Sequence, residues 1–255
     1  MRALFRSEKS VPASLLHPLR AEAPKLLMAE LASAYHGRRM AGDFYDFVRV
    51  SPHRVLFGLL DAAGDLTQTR AVLSAAQNTF RTSGPKLLAH TEINTADAMM
   101  ELCLELNQAL LKAAQGVCSC PTFAGCYDET VGVVCYFNAG HTPGLVRDHA
   151  GVRELPATSL PLGLFSHMLP DARMVALEPG AALLLSSRGI VEGRRKTQEF
   201  GLEGVKTVLQ QSHSISAKEL CEDVLKQLHH FMRTAPTHDD ATVLALARSL
   251  PRVSA

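Results

Sequence analysis

Residues 54–61 read Arg-Val-Leu-Phe-Gly-Leu-Leu-Asp, a nearly continuous apolar run that ends on an acidic residue. A short apolar run closed by a turn-forming residue predicts a β-strand. Further apolar runs follow in pairs across short turns, which predicts antiparallel hairpins. The three predicted hairpins are 123–138 around Asp128-Glu-Thr130, 144–155 around Asp148-His-Ala-Gly151, and 174–187 around Glu178-Pro-Gly180. Residues 241–247 form a last predicted strand.

Helical spacing of apolar residues occupies three stretches, 67–81, 94–114 and 216–232. In the third stretch, Ser216 and Glu219 form the capping-box pattern that starts many helices. Adjacent hairpins favour antiparallel sheets, and helices grouped between blocks of strands argue against alternating βαβ units. We therefore predict an α+β fold, a β-sandwich with helices packed on its outer faces.

The composition is that of a globular domain, with 47% apolar and 20% charged residues. Lys plus Arg number 26 and Asp plus Glu 25, so the formal net charge is only +1. That balance, together with the absence of Trp, argues against nucleic acid as a partner. No apolar run approaches the length of about 20 residues that crosses a bilayer, so no membrane association is predicted.

The chain divides into a short leading segment and one large domain. Residues 1–26 mix Ser, Pro and basic residues with a small apolar patch, and they are interpreted as an N-terminal extension or a docking helix. Residues 27–250 contain no Gly- or Pro-rich linker and are predicted to form a single domain. Charges inside the first nine residues do not fit a secretory signal, so a cytoplasmic location is expected.

The six cysteines are interpreted as reduced, buried or incidental thiols. Cys118-Ser-Cys120 has the wrong spacing for a zinc knuckle, and no second Cys or His pair stands at a matching distance. A metal or redox role for these thiols remains the less favoured alternative.

Acidic residues stand where predicted strands meet loops. Asp43 lies in Ala41-Gly-Asp-Phe-Tyr-Asp-Phe47, Asp61 ends the run at 54–61, and Asp239 precedes the last strand. Carboxylates held at one accessible end of rigid elements are the ligands that Mg²⁺ and Mn²⁺ prefer. A single acid at a strand end is more commonly a turn former, so the spacing alone does not decide between the two readings.

A family resemblance favours the metal reading. Several stretches resemble, in order, the motifs of the metal-dependent (PPM-type) protein serine/threonine phosphatases, in their bacterial branch typified by stage II sporulation protein E. Together they extend over about residues 27–248. The similar stretches are 41–47, 57–64, the helix at 67–81, Asn138-Ala-Gly-His-Thr-Pro143, Leu160-Pro-Leu-Gly163, 183–192 and Asp239-Asp-Ala-Thr242.

The resemblance implies a four-layer α-β-β-α sandwich of two antiparallel sheets flanked by helices. It implies a cleft in which two Mn²⁺ or Mg²⁺ ions activate a water that attacks phosphoserine or phosphothreonine. Asp61 would bridge both ions, Asp43 and the carbonyl of Ala62 would hold the second ion, and Asp239 would hold the first. Asp61 and Asp239 are the expected catalytic residues. The implied partner is a phosphoprotein such as an anti-sigma-factor antagonist.

One position departs from the family pattern. Where the family has Thr-Asp-Gly, this chain has Ser187-Arg188-Gly189, so a guanidinium replaces a ligand carboxylate. Three positions of Arg188 are considered. It pairs with Asp61 or Asp239 in place of a metal, or it points outward and holds a phosphate while one ion stays at Asp43 and Asp61. In the third, Arg188 is solvated and the site has decayed. The predicted function is therefore protein phosphatase activity with an impaired metal site. The alternative is a pseudophosphatase that acts as a protein-binding module.

Four further residues are expected around the site. Asp65 is interpreted as a helix-capping residue, with partial compensation of the Arg188 charge as the alternative. His141 is expected to fix a loop by hydrogen bonding, and His238 to be a solvated loop residue. For both histidines, proton transfer is the alternative. Asp240 stands beside Asp239 and is expected near the metal ligands.

Overall fold

The computed structural model describes residues 21–37, 42–62, 64, 66–233 and 240–250. Its twelve strands are β1 (Ala29–His36), β2 (Gly42–Arg49), β3 (Arg54–Ala62), β4 (Thr122–Asp128), β5 (Val133–Ala139), β6 (Gly144–Asp148), β7 (Gly151–Leu155), β8 (Arg173–Ala176), β9 (Ala182–Ser186), β10 (Arg194–Arg195), β11 (Gln198–Glu199) and β12 (Ala241–Arg248). Its helices are α1 (Leu66–Leu88), α2 (Thr95–Ala114), α3 (Arg188–Val191), α4 (Gly201–Gln211) and α5 (Ala217–Met232).

Two five-stranded antiparallel sheets form the centre of the domain. One sheet has the order β2-β3-β4-β5-β8, and the other has the order β1-β12-β9-β6-β7. Helices α1 and α2 pack on the outer face of the first sheet, and α5 packs on the outer face of the second. The predicted α+β sandwich with four α-β-β-α layers is confirmed.

The apolar run at 54–61 is continuous because β3 is buried on both faces. Phe57 and Leu59 belong to the core between the two sheets, whereas Leu56 and Leu60 belong to the core beneath α1 and α2. This alternation follows from the two-residue period of a strand. A third core packs β9 and β12 against α4 and α5.

Two of the three predicted hairpins are present, and the third is wrong. Strands β4 and β5 pair directly, as do β6 and β7. Strand β8, however, pairs with β5, whereas β9 pairs with β12 and β6 in the other sheet. The backbone N–H of Leu177 donates to Gly132 and that of Gly180 to Arg248. A Glu-Pro-Gly turn suits a hairpin and a crossing between sheets equally well, so the turn residues could not separate them.

The predicted helices are present with changed ends. Helix α1 continues seven residues past Arg81, through Pro85, to Leu88. Asn94 caps α2, and Ser216 caps α5 by accepting from the backbone N–H of Glu219 at 3.4 Å. Only half of the capping box forms, because the carboxylate of Glu219 accepts from the hydroxyl of Ser214 instead. The sequence analysis did not predict strands β1, β2, β10 and β11 or helices α3 and α4.

The leading segment is described only from residue 21. Residues 21–26 contain no helix or strand, and Ala21, Ala23 and Leu26 pack against the core between the sheets. The predicted docking helix falls for the most part on residues 1–20, which lie outside the described residues. Of the helices that the structure describes, none has both the length and the apolar composition needed to cross a bilayer.

Candidate metal centre

Two carboxylates meet where β2 begins and β3 ends. Asp43 and Asp61 are direct partners in the antiparallel register of these strands. Tyr45 and Leu59 lie in the core between the sheets, so by strand alternation Asp43 and Asp61 face the same space. They are only 6% and 3% exposed. Two buried like charges directly opposite each other repel, so nearby positive charge stabilises this end of the sandwich.

Arg188 supplies positive charge at this position. Its Nε lies 3.4 Å from Oδ2 of Asp61, and 45% of the arginine side chain remains exposed against 4% of the aspartate. Arg188 is the first residue of α3, which follows directly on β9 through Ser187. The second sheet therefore delivers the guanidinium to the carboxylate that the first sheet holds.

Asp43 is held by the second sheet as well. Its Oδ2 accepts a hydrogen bond of 2.6 Å from the hydroxyl of Thr242 at the start of β12. The hydroxyl of Ser187 accepts from the backbone N–H of Thr242 at 3.0 Å and donates to the carbonyl of Asp240. The Thr242–Asp43 hydrogen bond joins the two sheets, and the Ser187 contacts fix the start of β12 within the second sheet.

Gly42 allows the close approach of a backbone carbonyl. It is the register partner of Ala62, and a Cβ at position 42 would lie 2.3 Å from the carbonyl oxygen of Ala62. Any side chain there would displace this oxygen. The glycine before Asp43 is thus required because a larger residue would clash with the carbonyl oxygen of Ala62. The expected role of that oxygen as a metal ligand stays a prediction.

The donors among the described residues fit one hard cation better than two. Two carboxylates and a carbonyl are oxygen ligands of the kind that Mg²⁺ and Mn²⁺ take, with water completing the shell. Among the residues that the structure describes, no three His, Cys, Asp or Glu side chains are grouped to hold a metal. The guanidinium of Arg188 contacts the carboxylate of Asp61, and its positive charge disfavours a second cation there. Asp239, Asp65 and His238 lie outside the described residues.

His141 lies in a buried hydrogen-bond network. Its backbone N–H donates to Oδ1 of Asn138 at 2.8 Å, and its Nδ1 lies 3.1 Å from the carbonyl of Thr142. Because a carbonyl only accepts, Nδ1 carries the proton and Nε2 is left as a buried acceptor with no hydrogen-bond partner among the described residues. Burial lowers the pKa of His141 to about 4, so the ring is neutral at pH 7. This arrangement holds the Asn138–Pro143 turn.

Asp240 is buried at the entrance of β12. It is 2% exposed, and a Cβ at Gly37 would lie 2.3 Å from its Oδ1. The carboxylate therefore packs on the backbone at the end of β1. The structure thus brings together Asp43, Asp61, Ala62 and Arg188, with Asp240 contributing through its backbone.

The sequence reading missed two partners of the motif at 41–47. One is Thr242, described above. The other is Arg81 on α1, which donates from Nε and Nη2 to the fully buried carboxylate of Asp46 at 2.6 and 2.9 Å. The hydrogen bond that Arg81 donates to Asp46 raises the pKa of Arg81. Asp43 and Asp46 are three residues apart on one strand, so they face opposite sides of the sheet. The two-residue period of a strand could therefore have shown from the sequence that their roles differ.

Comparison with known proteins agrees with this geometry. The family model for stage II sporulation protein E (SpoIIE) matches residues 51–249, so the chain belongs to the SpoIIE family, a family of PPM-type phosphatase domains. The phosphoserine phosphatase RsbP of Bacillus subtilis (strain 168) is 23% identical over 202 residues. That match includes 79% of this chain and 47% of the relative, so the chain spans less than half of RsbP.

Solved structures show the same fold. The PP2C phosphatase domain of SpoIIE from Bacillus subtilis, solved with a fragment of its regulatory domain, superposes with a TM-score of 0.68 at 16% identity over 88% of this chain and 64% of that one. RsbX, solved in complex with magnesium, superposes with a TM-score of 0.65 at 12% identity over 89% of this chain and 99% of that one. The architecture is therefore that of a PP2C-like domain.

Proposed function

We propose that this domain binds a phosphoserine- or phosphothreonine-containing signalling protein and hydrolyses its phosphoester at a metal site weakened by Arg188. Membership of the SpoIIE family supports the reaction class. The paired, buried carboxylates of Asp43 and Asp61 support the position of the site. The contact between Arg188 and Asp61 is the observation that supports weaker metal binding, because it places a fixed positive charge where a ligand would otherwise bind a cation.

The residues that would hold a divalent ion are Asp43, Asp61 and the carbonyl oxygen of Ala62. A bound Mn²⁺ or Mg²⁺ would supply an activated water and neutralise charge on the phosphoryl oxygens. Thr242 orients Asp43 through its hydroxyl, and the β2–β3 register fixes Asp61 beside it. Since both carboxylates are buried, their charges act through a medium that screens less than water.

The effect of Arg188 on a cation is large. A +2 ion and a +1 group about 5 Å apart repel by about 6–7 kcal/mol at an effective dielectric constant of about 20. Because nearly half of the Arg188 side chain is exposed, solvent screens much of this and the side chain is able to turn away. The carboxylate that the family places here is still missing, so we infer one ion at most.

The substrate class rests on the family and on its named relative. RsbP carries the name phosphoserine phosphatase, and the family resemblance implies an anti-sigma-factor antagonist or a similar regulatory phosphoprotein. With a net charge of +1, the chain has no strong general attraction for polyanions. Recognition of a phosphoprotein would therefore come from the site and its rim.

Activity measurements with a small ester and a phosphopeptide test the proposal. Hydrolysis of p-nitrophenyl phosphate and of a phosphoserine peptide is followed while Mn²⁺ is raised from micromolar to millimolar concentrations. We expect slow, Mn²⁺-dependent turnover that Asp61→Asn abolishes and that Asp239→Asn reduces less. Asp171→Asn, an exposed aspartate paired with Arg173, is the matched control. Turnover that survives Asp61→Asn would contradict the proposal.

The second candidate is a pseudophosphatase that binds its partner without turnover. The observation that favours it is the same ion pair, since Arg188 already compensates Asp61 without any metal. In that case no hydrolysis occurs at any Mn²⁺ concentration, while the phosphopeptide still binds. Titration calorimetry with the phosphopeptide and its unphosphorylated form separates this outcome from a domain that has lost both properties.

A further inference from the structure

The loop between α2 and β4 brings two sulfur atoms together. The Sγ atoms of Cys118 and Cys120 are 3.7 Å apart, and the thiol of Cys120 donates toward the sulfur of Cys118. The thiol of Cys118 points in turn to the carbonyl of Leu110, 3.9 Å away. Disulfide formation needs an S–S distance of about 2.0 Å, so these sulfurs lie within about 2 Å of bonding distance.

The two thiols differ in access to solvent. Cys118 is half-buried and follows three exposed residues, 115–117, whereas Cys120 is completely buried. The other four cysteines, Cys103, Cys126, Cys135 and Cys221, are all buried. Cys118 is therefore the thiol that a small oxidant reaches first, with Cys120 directly beside it.

The same loop is connected to the candidate metal centre. The carbonyl of Pro121 accepts from the backbone N–H of Asp61 at 2.9 Å. On its other side, Cys118 and Cys120 donate their backbone N–H groups to Gly163 and Leu162, each at 2.9 Å. A Cβ at position 163 would lie 2.6 Å from Sγ of Cys118. The dithiol thus lies between the turn at Gly163 and the end of β3 that carries Asp61.

We propose that Cys118 and Cys120 form a peroxide-sensitive dithiol that closes to a disulfide beside the metal centre. The Cys118 thiolate attacks hydrogen peroxide, the O–O bond breaks, and a sulfenic acid and one water form after proton transfer. The Cys120 sulfur then displaces the sulfenic hydroxyl, which leaves as a second water with the Cys120 proton. The two thiols are oxidised by two electrons, and the peroxide is reduced to two waters.

Closure of the disulfide would disturb the strand end at Asp61. The sulfurs must approach by roughly 1.7 Å, and the wedged loop has no room to move toward Gly163. We therefore expect the backbone between Cys120 and Pro121 to shift, and with it the acceptor of the Asp61 N–H. This inference stands apart from the proposed function, because neither bound metal nor turnover enters it.

Peptide mapping of the intact chain tests the proposal. The reduced, folded protein is treated with hydrogen peroxide, its remaining thiols are alkylated, and it is digested with chymotrypsin without reduction. Cleavage after Phe123 and Tyr127 separates the fragment with Cys118 and Cys120 from Cys126. We expect this fragment to lose two mass units and to escape alkylation at both cysteines. We also expect amide exchange at Asp61 to accelerate by about three- to tenfold, the range that corresponds to the loss of one hydrogen bond.

The chain contains its own control pair. Cys126 and Cys135 face each other in register across β4 and β5 but are 1% and 2% exposed, so they should stay reduced in the folded protein. Cys118→Ser should abolish the mass loss. Oxidation of Cys118 to sulfinic acid without a disulfide, or equal oxidation of both pairs, would overturn the proposal. So would an unchanged exchange rate at Asp61 in the oxidised protein.

Discussion

Replacing Arg188 with aspartate should convert the weakened site into one that binds two ions. The guanidinium lies 3.4 Å from Asp61, and a cation on that carboxylate would be about 5 Å from it. The unscreened repulsion is about 6–7 kcal/mol. Because Arg188 is nearly half exposed, solvent screens most of it, and we take about a quarter as the remaining repulsion. Removing the charge with Arg188→Gln should then tighten Mn²⁺ binding by about tenfold.

Arg188→Asp also restores a ligand, so its effect should be larger. We expect about 100-fold tighter Mn²⁺ binding than in the unmodified chain, equivalent to about 2.7 kcal/mol, and two ions per chain instead of one at most. Isothermal titration calorimetry measures both the affinity and the stoichiometry. Activity toward p-nitrophenyl phosphate should rise in the same order of variants.

A matched control is available on an edge strand. Arg153 lies 3.4 Å from Asp148, and half of its side chain is exposed, so this pair matches the pair at the site in distance and in the exposure of the arginine, while Asp148 is more exposed than Asp61. Arg153→Asp should leave Mn²⁺ binding unchanged. The reasoning is refuted if Arg188→Asp binds Mn²⁺ no tighter than the unmodified chain. It is refuted equally if the unmodified chain already binds two ions at micromolar concentrations.

Three further predictions concern stability and are measured by urea denaturation. Arg81→Leu should lower the free energy of unfolding by about 3 kcal/mol, because it leaves the buried carboxylate of Asp46 without its cation. Adding Asp46→Asn should recover part of this loss, and a double variant with no recovery would contradict the prediction. Since burial lowers the pKa of His141 from 6.5 to about 4, only the unfolded chain takes up the proton as the pH falls from 7 to 5. This should cost about 2 kcal/mol, a loss absent from His141→Gln. Gly42→Ala should destabilise by about 2 kcal/mol and Gly116→Ala, with open space around it, by less than about 1.

Prediction from the sequence succeeded where a pattern is typical of one kind of secondary structure. The short run at 54–61, closed by Asp61, is a strand as predicted, and the long periodic stretch at 94–114, which begins with Asn94, is a helix as predicted. Prediction failed where local chemistry allows two outcomes. The turn at 178–180 links different sheets, and the backbone N–H of Leu177 donates to Gly132, in the turn before β5, rather than across its own turn.

Elements with weak periodicity were missed for a related reason. Strand β2 carries Asp43 and Asp46 among buried apolar residues, so its alternation is hidden by acids on both faces. Helix α4 contains two glycines and buries only Val205, Val208 and Leu209. In both elements, tertiary contacts with other parts of the chain compensate for a poor local signal.

For the site, sequence reasoning identified the residue types but not their partners. Asp61 and Arg188 were expected as neighbours through the family resemblance, and the structure places them in contact. Thr242 and Arg81 contact the motif at 41–47 from distant positions, so their roles required the assembled sheets and helix. The approach of Cys118 to Cys120 likewise depends on how the loop packs against Gly163.

The effect of Arg188 on the site follows from the sum of the formal charges there. Exchanging an aspartate for an arginine raises the formal charge by two, the same as adding one divalent cation. The buried pair of Asp43 and Asp61 needs positive charge in order to remain ionised at the end of the sandwich. In this chain part of that charge is covalently attached, in contact with Asp61. This positive charge is present whether or not a metal is bound. Under the proposed function, the same exchange also removes a carboxylate at which a second ion would bind.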